Sequence, residues 1–559
     1  PLYRPASPWT SGSVLFRSLD GKPWPYEPGS SMQTVWIDLI YARPGSGKSV
    51  LSNALNLGLI ISSGQTRLPR IAIIDIGPSS SGLIRLIQDS LPEDQRHLVQ
   101  YQRLQMTSDY AINPFDTQLG CRTPTPLERS FLVNFICLLA TPVGAKSTYE
   151  GVSEMAGLII DEAYKKCQDN GNPNVYTQGL NDLIDAELLD IGFVIDSKTT
   201  WWEATDALFM AGKTERAAQA QRFAVPILSD LTSLARSSVV SDLYGKITIS
   251  TGESLVEAFI RMISSAIREY PIIASPTKFD ISTAKIVSLD LDEVAKTGGD
   301  AADRQTGVMY MLARYVIAKD FYLNIENLRH APEGYFSYHE QRCQEIKEDK
   351  KRIVYDEFHR TSKAASVRDQ VVVDMREGRK WNVQISLISQ SLEDFDSTMV
   401  EFGTGVFVLD AGPEQAIQKT TEVFGLTVSA QEALRNYVSG PTARGANMLC
   451  QFSTKEGINT QLLTLTLGPV ELWAFSTTVE DTTLRNSLYD QIGSAEARRI
   501  LAMLFPSGSA KRTIEQKLEQ TRADEGFVDD EKQANIIYEM VDKIVAAYHQ
   551  NPKFTSVSF

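Results

Sequence analysis

The chain has 559 residues, 43% of them hydrophobic and 22% charged, which supplies a large core or several and gives an expectation of three or four structural units in a globular protein. A formal net charge of −14 argues against default attraction to a phosphate backbone and leaves only a local basic patch or a Lys/Arg-lined pore for nucleic acid. No apolar run approaches the roughly 20 residues that cross a bilayer.

Residues 1 to about 33 read as irregular structure with short strands. The apolar run 35–41 then reads as a buried strand. It leads directly into Ala42-Arg43-Pro44-Gly45-Ser46-Gly47-Lys48-Ser49, with a helical pattern opening at Val50-Leu51. This is a P-loop in its strand-to-helix setting, with Ala42 where the commonest form has Gly. Gly45 and Gly47 let the backbone turn so that the amides from Gly45 to Val50 surround phosphates. Lys48 brings charge to the β/γ-phosphates, and the Ser49 hydroxyl is placed to ligate Mg²⁺, so a nucleoside triphosphate is the expected ligand.

Residues 71–74 read as a second buried strand. It ends at Asp75-Ile76-Gly77-Pro78-Ser79, where Asp75 is equally a structural cap or a catalytic helper. Asn113-Pro114-Phe115-Asp116 reads as a turn near the sheet edge. From 126 to 270 the strand signal gives way to helical periodicity at 127–139, 149–166, 201–209 and 255–268. An all-helical insertion accounts for the long separation of Lys48 from Asp356. The sheet resumes at 285–290, followed by an amphipathic helix at 306–324.

Arg352-Ile353-Val354-Tyr355 reads as a buried strand delivering Asp356-Glu357 at its carboxyl end, where ligands collect in an open parallel sheet. Asp356 is the expected Mg²⁺ holder, and Glu357 the residue that orients the attacking water. The basic stretch Asp374-Met375-Arg376-Glu377-Gly378-Arg379-Lys380 offers Arg376 or Arg379 as an arginine finger for a neighbouring subunit, or is simply an exposed helix end. The strand 382–388 ends at Ser389-Gln390, and the Gln390 amide is a candidate sensor of the γ-phosphate or the lytic water. His359, two residues after Glu357, is assigned a structural role ahead of the alternative, a contact with the active site. Further strands are expected at 405–409, 448–452 and 462–467, and helices at 484–489, 495–504, 514–522 and 531–548 cap the sheet or form a partner surface. Cys121, Cys137, Cys167, Cys343 and Cys450 are widely spaced and read as buried thiols, neither disulfide framework nor zinc site.

Taken together, residues 42–49, 74–79, 112–116 and 353–357, with Arg379-Lys380 and Ser389-Gln390, resemble the ATPase domain of the TraC-like energisers of type IV secretion and conjugation machines. Ser49 stands where many of that family have Thr and keeps the hydroxyl. The resemblance implies an α/β, RecA-like P-loop ATPase with a mostly parallel sheet, an all-helical insertion and a helical C-terminal tail. The strand and helix patterning divides the chain into 1–125 with the P-loop, 126–270 as the insertion, 271–478 with the acidic pair and sensor, and 479–559 as the helical end. The resemblance also implies ATP and Mg²⁺ as cofactors and a homo-hexamer at the cytoplasmic face of a bacterial inner-membrane channel. The partners it implies are another secretion ATPase, channel components and exported proteins, and the acidic charge argues against nucleic acid as a further one. The chain begins at Pro1 on a Pro-rich stretch and is read as a piece of a longer protein whose N-terminal domain precedes it.

Overall fold

The computed structural model describes residues 6–62, 64, 66–281 and 283–559, so residues 1–5 of the expected leading segment lie outside the described residues. The strands in chain order are β1 (Val14–Ser18), β2 (Pro23–Tyr26), β3 (Ile37–Ala42), β4 (Arg70–Asp75), β5 (Val99–Arg103), β6 (Ile286–Asp290), β7 (Lys351–Tyr355), β8 (Val383–Ser389), β9 (Gly405–Asp410), β10 (Pro441–Thr442), β11 (Gly445–Thr454) and β12 (Gly457–Leu465). They form one sheet in the order β2-β1-β12-β11-β9-β3-β8-β7-β4-β6-β5, with β10 paired to β11. From β9 to β5 every neighbouring pair is parallel. The other end, from β11 to β2, is antiparallel.

The parallel strands are buried on both faces, and their side chains alternate between two cores. Ile37, Leu39 and Tyr41 of β3, Ala72 and Ile74 of β4, and Ile353 and Tyr355 of β7 enter one core. Ile40 and Ala42, Ile71 and Ile73, and Val354 enter the other. The second face is covered by Lys48–Ile60 through Leu51, Leu55 and Leu59, and by Ser81–Ser90 through Leu83, Ile84 and Ile87.

Between β5 and β6 the described chain runs through helices that include Pro126–Leu139, Val152–Cys167, Trp201–Met210 and Leu255–Glu269. These do not form one separate body. Phe131, Phe135, Ile159, Ile160, Phe259 and Ile263 join the sheet's first core, whereas Ile184, Leu188, Trp201, Trp202 and Val225 form a satellite core closed by Tyr335. The Asn113 turn lies in the interior: Asn113 is fully buried, its amide nitrogen donates to Pro226 O at 2.8 Å, and Tyr164 OH donates to Phe115 O at 2.7 Å.

The helices after Gly468 build a third core around Trp473, Leu484, Leu501 and Met540. Arg485 Nη1 gathers the end of its first helix by donating to Trp473 O, Ala474 O and Ser476 O at 3.1, 3.0 and 3.0 Å, and Arg498 Nη2 ties the group to the sheet domain by donating to Asp89 Oδ2 at 2.8 Å on the helix Ser81–Ser90.

Candidate active site

The carboxyl ends of β4, β7, β8, β3 and β9 lie side by side along one edge of the sheet. They deliver Asp75, Asp356-Glu357, Gln390, the P-loop and Asp410 to one crevice. The P-loop is bent by Gly45 at φ 77° and Gly47 at φ 95°, left-handed conformations that a side chain disfavours. Lys48 opens the helix Lys48–Ile60 with no acidic residue in its first turn, so the free amides there stay available to an anion. The loop is braced from β9. Asp410 Oδ2 accepts from Arg43 Nε at 3.0 Å and from Ser46 Oγ at 3.3 Å. The Lys48 ammonium donates back to Ala42 O at 2.7 Å; burial pushes its pKa down, opposed by Glu357, Asp356 and Asp410.

Asp356 follows β7 and is buried, its amide donating to Ile74 O at 2.9 Å and its Oδ1 accepting from the Glu357 amide at 2.7 Å. Burial, then the adjacent Glu357, pushes the Asp356 carboxyl up to about 7. Asp75 lies next to it. Ser79 Oγ donates to Asp75 and approaches Asp356 Oδ2 at 3.5 Å, and burial followed by Asp356 raises the Asp75 carboxyl well above its ordinary value. Buried carboxylates that hinder one another's ionisation are oxygen donors whose charge a hard divalent cation relieves, and with the Ser49 hydroxyl they fit Mg²⁺.

Glu357 occupies the left-handed region at φ 52°, ψ 36°, a backbone strain of about 1–2 kcal/mol for a residue with a Cβ. The strain turns the chain sharply after β7 and sets the carboxylate beside His359, whose Nε2 is 3.3 Å from Glu357 Oε2 and 3.1 Å from Gln390 Nε2. His359, given a structural role from sequence, therefore bridges two expected site residues. Its spacing of two from Glu357 was the available signal, but contact across to β8 needs the strand order. Asp75 and Ser79 likewise enter the site because β4 is the neighbour of β7.

Arg376 and Arg379 do not join this group. Both are exposed on the helix Ala365–Trp381, whose end leads into the start of β8, so a strand length of about 20 Å separates them from Gln390. They have no part in their own chain's site.

A P-loop strand and an acidic-pair strand with one parallel strand, β8, between them are the arrangement of the RecA-like P-loop fold. No protein-family model and no curated protein matches the chain. Among solved structures it is similar to VirB4 of Thermoanaerobacter pseudethanolicus, with a TM-score of 0.52 at 15% identity over 84% of this chain and all of that one (100%). At that identity the likeness speaks to the fold. The cytoplasmic domain of the Thermomonospora curvata type VII secretion ATPase EccC matches with a TM-score of 0.20 at 10% identity, over 89% of this chain and 67% of that one, too remote to bear on it.

Proposed function

We propose that the protein is a Mg²⁺-dependent ATPase that energises a type IV secretion machine for protein export. The observation that carries the hydrolytic reading is the convergence of Lys48, Asp356, Glu357 and Gln390 at the ends of three adjacent strands. The amides from Gly45 to Val50 and Lys48 would bind the β/γ-phosphates, while Ser49 and Asp356 would hold Mg²⁺, which supplies charge neutralisation at those oxygens. Glu357 takes a proton from the water that attacks the γ-phosphorus. The bond to the bridging oxygen breaks, and ADP leaves.

The secretion assignment is supported by the sequence resemblance to the TraC-like energisers and is consistent with the VirB4-like fold. Within that family the segments 355–360 and 471–478 are similar to DotO (IcmB) of the Dot/Icm type IVB system, which makes effector proteins the proposed cargo and bacterial virulence the context. The motor works as a homo-hexamer in the cytoplasm at the inner membrane, in contact with a second ATPase and channel components, with 126–270 as its inserted helical part. Arg376 or Arg379 would act as a finger only from a neighbouring subunit.

Titration with a fluorescent ATP analogue, with and without Mg²⁺, tests the site. Lys48→Ala is expected to weaken binding by at least about tenfold, as loss of one charge-assisted phosphate contact requires. Equal binding by that variant contradicts the assignment. Adding DNA to the hydrolysis assay separates the related reading of a DNA translocase, since only that motor is stimulated by it.

A further inference from the structure

His359 faces two site residues through a single atom. Its Nε2 lies 3.3 Å from Glu357 Oε2 and 3.1 Å from Gln390 Nε2. The other ring nitrogen, Nδ1, is buried with no hydrogen-bond partner, so nothing behind the ring fixes which nitrogen carries the proton. Burial pushes the His359 pKa below its ordinary value, which leaves the ring neutral with one proton for two nitrogens.

With the proton on Nε2 the ring donates to the Glu357 carboxylate and offers nothing to the Gln390 amide nitrogen. With it on Nδ1, Nε2 accepts from Gln390 and releases Glu357. Turning the Gln390 amide over leaves the competition intact, because one N–H then chooses between two acceptors. The two flanking segments are themselves pinned. Arg368 donates to Asp394 O at 2.6 Å and to Asp394 Oδ1 at 2.9 Å, Ser389 Oγ donates to the same carboxylate, and the Arg368 guanidinium lies 5.0 Å over the Phe358 ring. The ends of β7 and β8 are thereby fixed relative to each other, and the imidazole is the adjustable member between them.

We propose that His359 is a positioning residue that couples the sensor Gln390 to the general base Glu357, so that Glu357 is aligned only when a terminal phosphate has drawn the Gln390 amide away from the ring. This rests on the hydrolytic reading above. With no γ-phosphate, the Gln390 amide, turned to present its oxygen, takes the single Nε2–H and Glu357 is unheld. With one, Gln390 is drawn off and the same Nε2–H donates to Glu357, aiming its carboxylate at the lytic water, and no proton changes nitrogen.

The test compares His359→Ala, Gln390→Ala, the double variant, His359→Gln and His359→Asn in the full chain, reading kcat, KM and affinity for a fluorescent ATP analogue, with thermal unfolding to confirm folding. His359→Ala is expected to lower kcat by at least about tenfold while affinity moves less than about threefold, the split of a group that acts in the reaction step. The double variant is expected to be no slower than the slower single one, because both cut the same coupling. His359→Gln, which brings an amide nitrogen to the reach of Nε2, recovers turnover that His359→Asn does not, and this pair decides the matter if the alanine variant fails to fold. Losses that multiply in the double variant, wild-type kcat in His359→Ala, or equal recovery by Gln and Asn overturns the coupling. A wild-type chain that binds the analogue but releases no phosphate overturns the hydrolytic reading first, and the coupling with it.

Discussion

Asp356 is where function and stability oppose one another. Its carboxyl titrates near 7 in the folded chain against 3.8 when solvated. The folded state therefore binds the proton more tightly than the unfolded state, and stability falls as pH rises from about 4 to about 7. Asp356→Asn removes that penalty and keeps an oxygen to accept from the Glu357 amide. Denaturant unfolding without nucleotide at pH 8 is expected to show the variant about 1–3 kcal/mol more stable than wild type. At pH 4 the gain vanishes, and Mg²⁺-dependent turnover is lost at either pH. Equal stabilities at pH 8 would mean that neighbouring charges already offset the burial. Glu357 is a second case, a non-glycine in left-handed backbone held because the sharp turn after β7 aims it toward His359.

At the scale of elements, a buried ion pair threads the strands that carry the chemistry. Arg352 on β7 donates to Asp38 on β3 at 3.0 Å and to Gln384 on β8 at 3.2 Å, with Arg352 1% exposed. Burial raises the Asp38 carboxyl in spite of Arg352, so the pair is costly to bury and costlier to break. Arg352→Met alone is expected to lose about 3–5 kcal/mol in denaturant unfolding, and pairing it with Asp38→Leu to recover most of that. A double variant no better than the single would assign the loss to shape.

The C-terminal helices hang on a comparable point. A Cβ at Gly82 would lie 1.7 Å from Ala474 O, beside the carbonyls that Arg485 gathers. Gly82→Ala is therefore expected to loosen residues 469–559 from the sheet domain, seen as earlier proteolytic cleavage near Phe475 while the sheet core stays protected. Unchanged cleavage would show that the backbone yields there.

Across the whole molecule, what the sequence made legible was local. The apolar runs before Ala42, Asp356 and Gln390 could be read because a strand buried on both faces has a continuous apolar signature and the P-loop fixes its own turn. The strand at Val99–Arg103 escaped, since four of its five residues are Gln, Tyr and Arg at an edge, where burial is incomplete. The contacts of His359, Asp75 and Ser79 also escaped, because they depend on β8 and β4 flanking β7, an order that spacing along the chain does not encode. The helical stretch 126–270 read as one unit, yet its outer helices complete the sheet's core and its middle packs on Tyr335, a partition set by long-range contacts. The position of Arg376 and Arg379 at the far end of β8 bears on assembly: a finger at that end reaches a phosphate only across a subunit boundary.

The most direct measurement is phosphate release per subunit as protein concentration is raised, with Glu357→Gln as the blank. Glu357→Gln keeps the charge-independent contacts and should retain ATP while losing turnover by at least about a hundredfold. The wild-type rate is expected to climb with concentration and saturate, as the proposed completion of the site by a neighbouring subunit requires. A Glu357→Gln variant that hydrolyses ATP at the wild-type rate would contradict it.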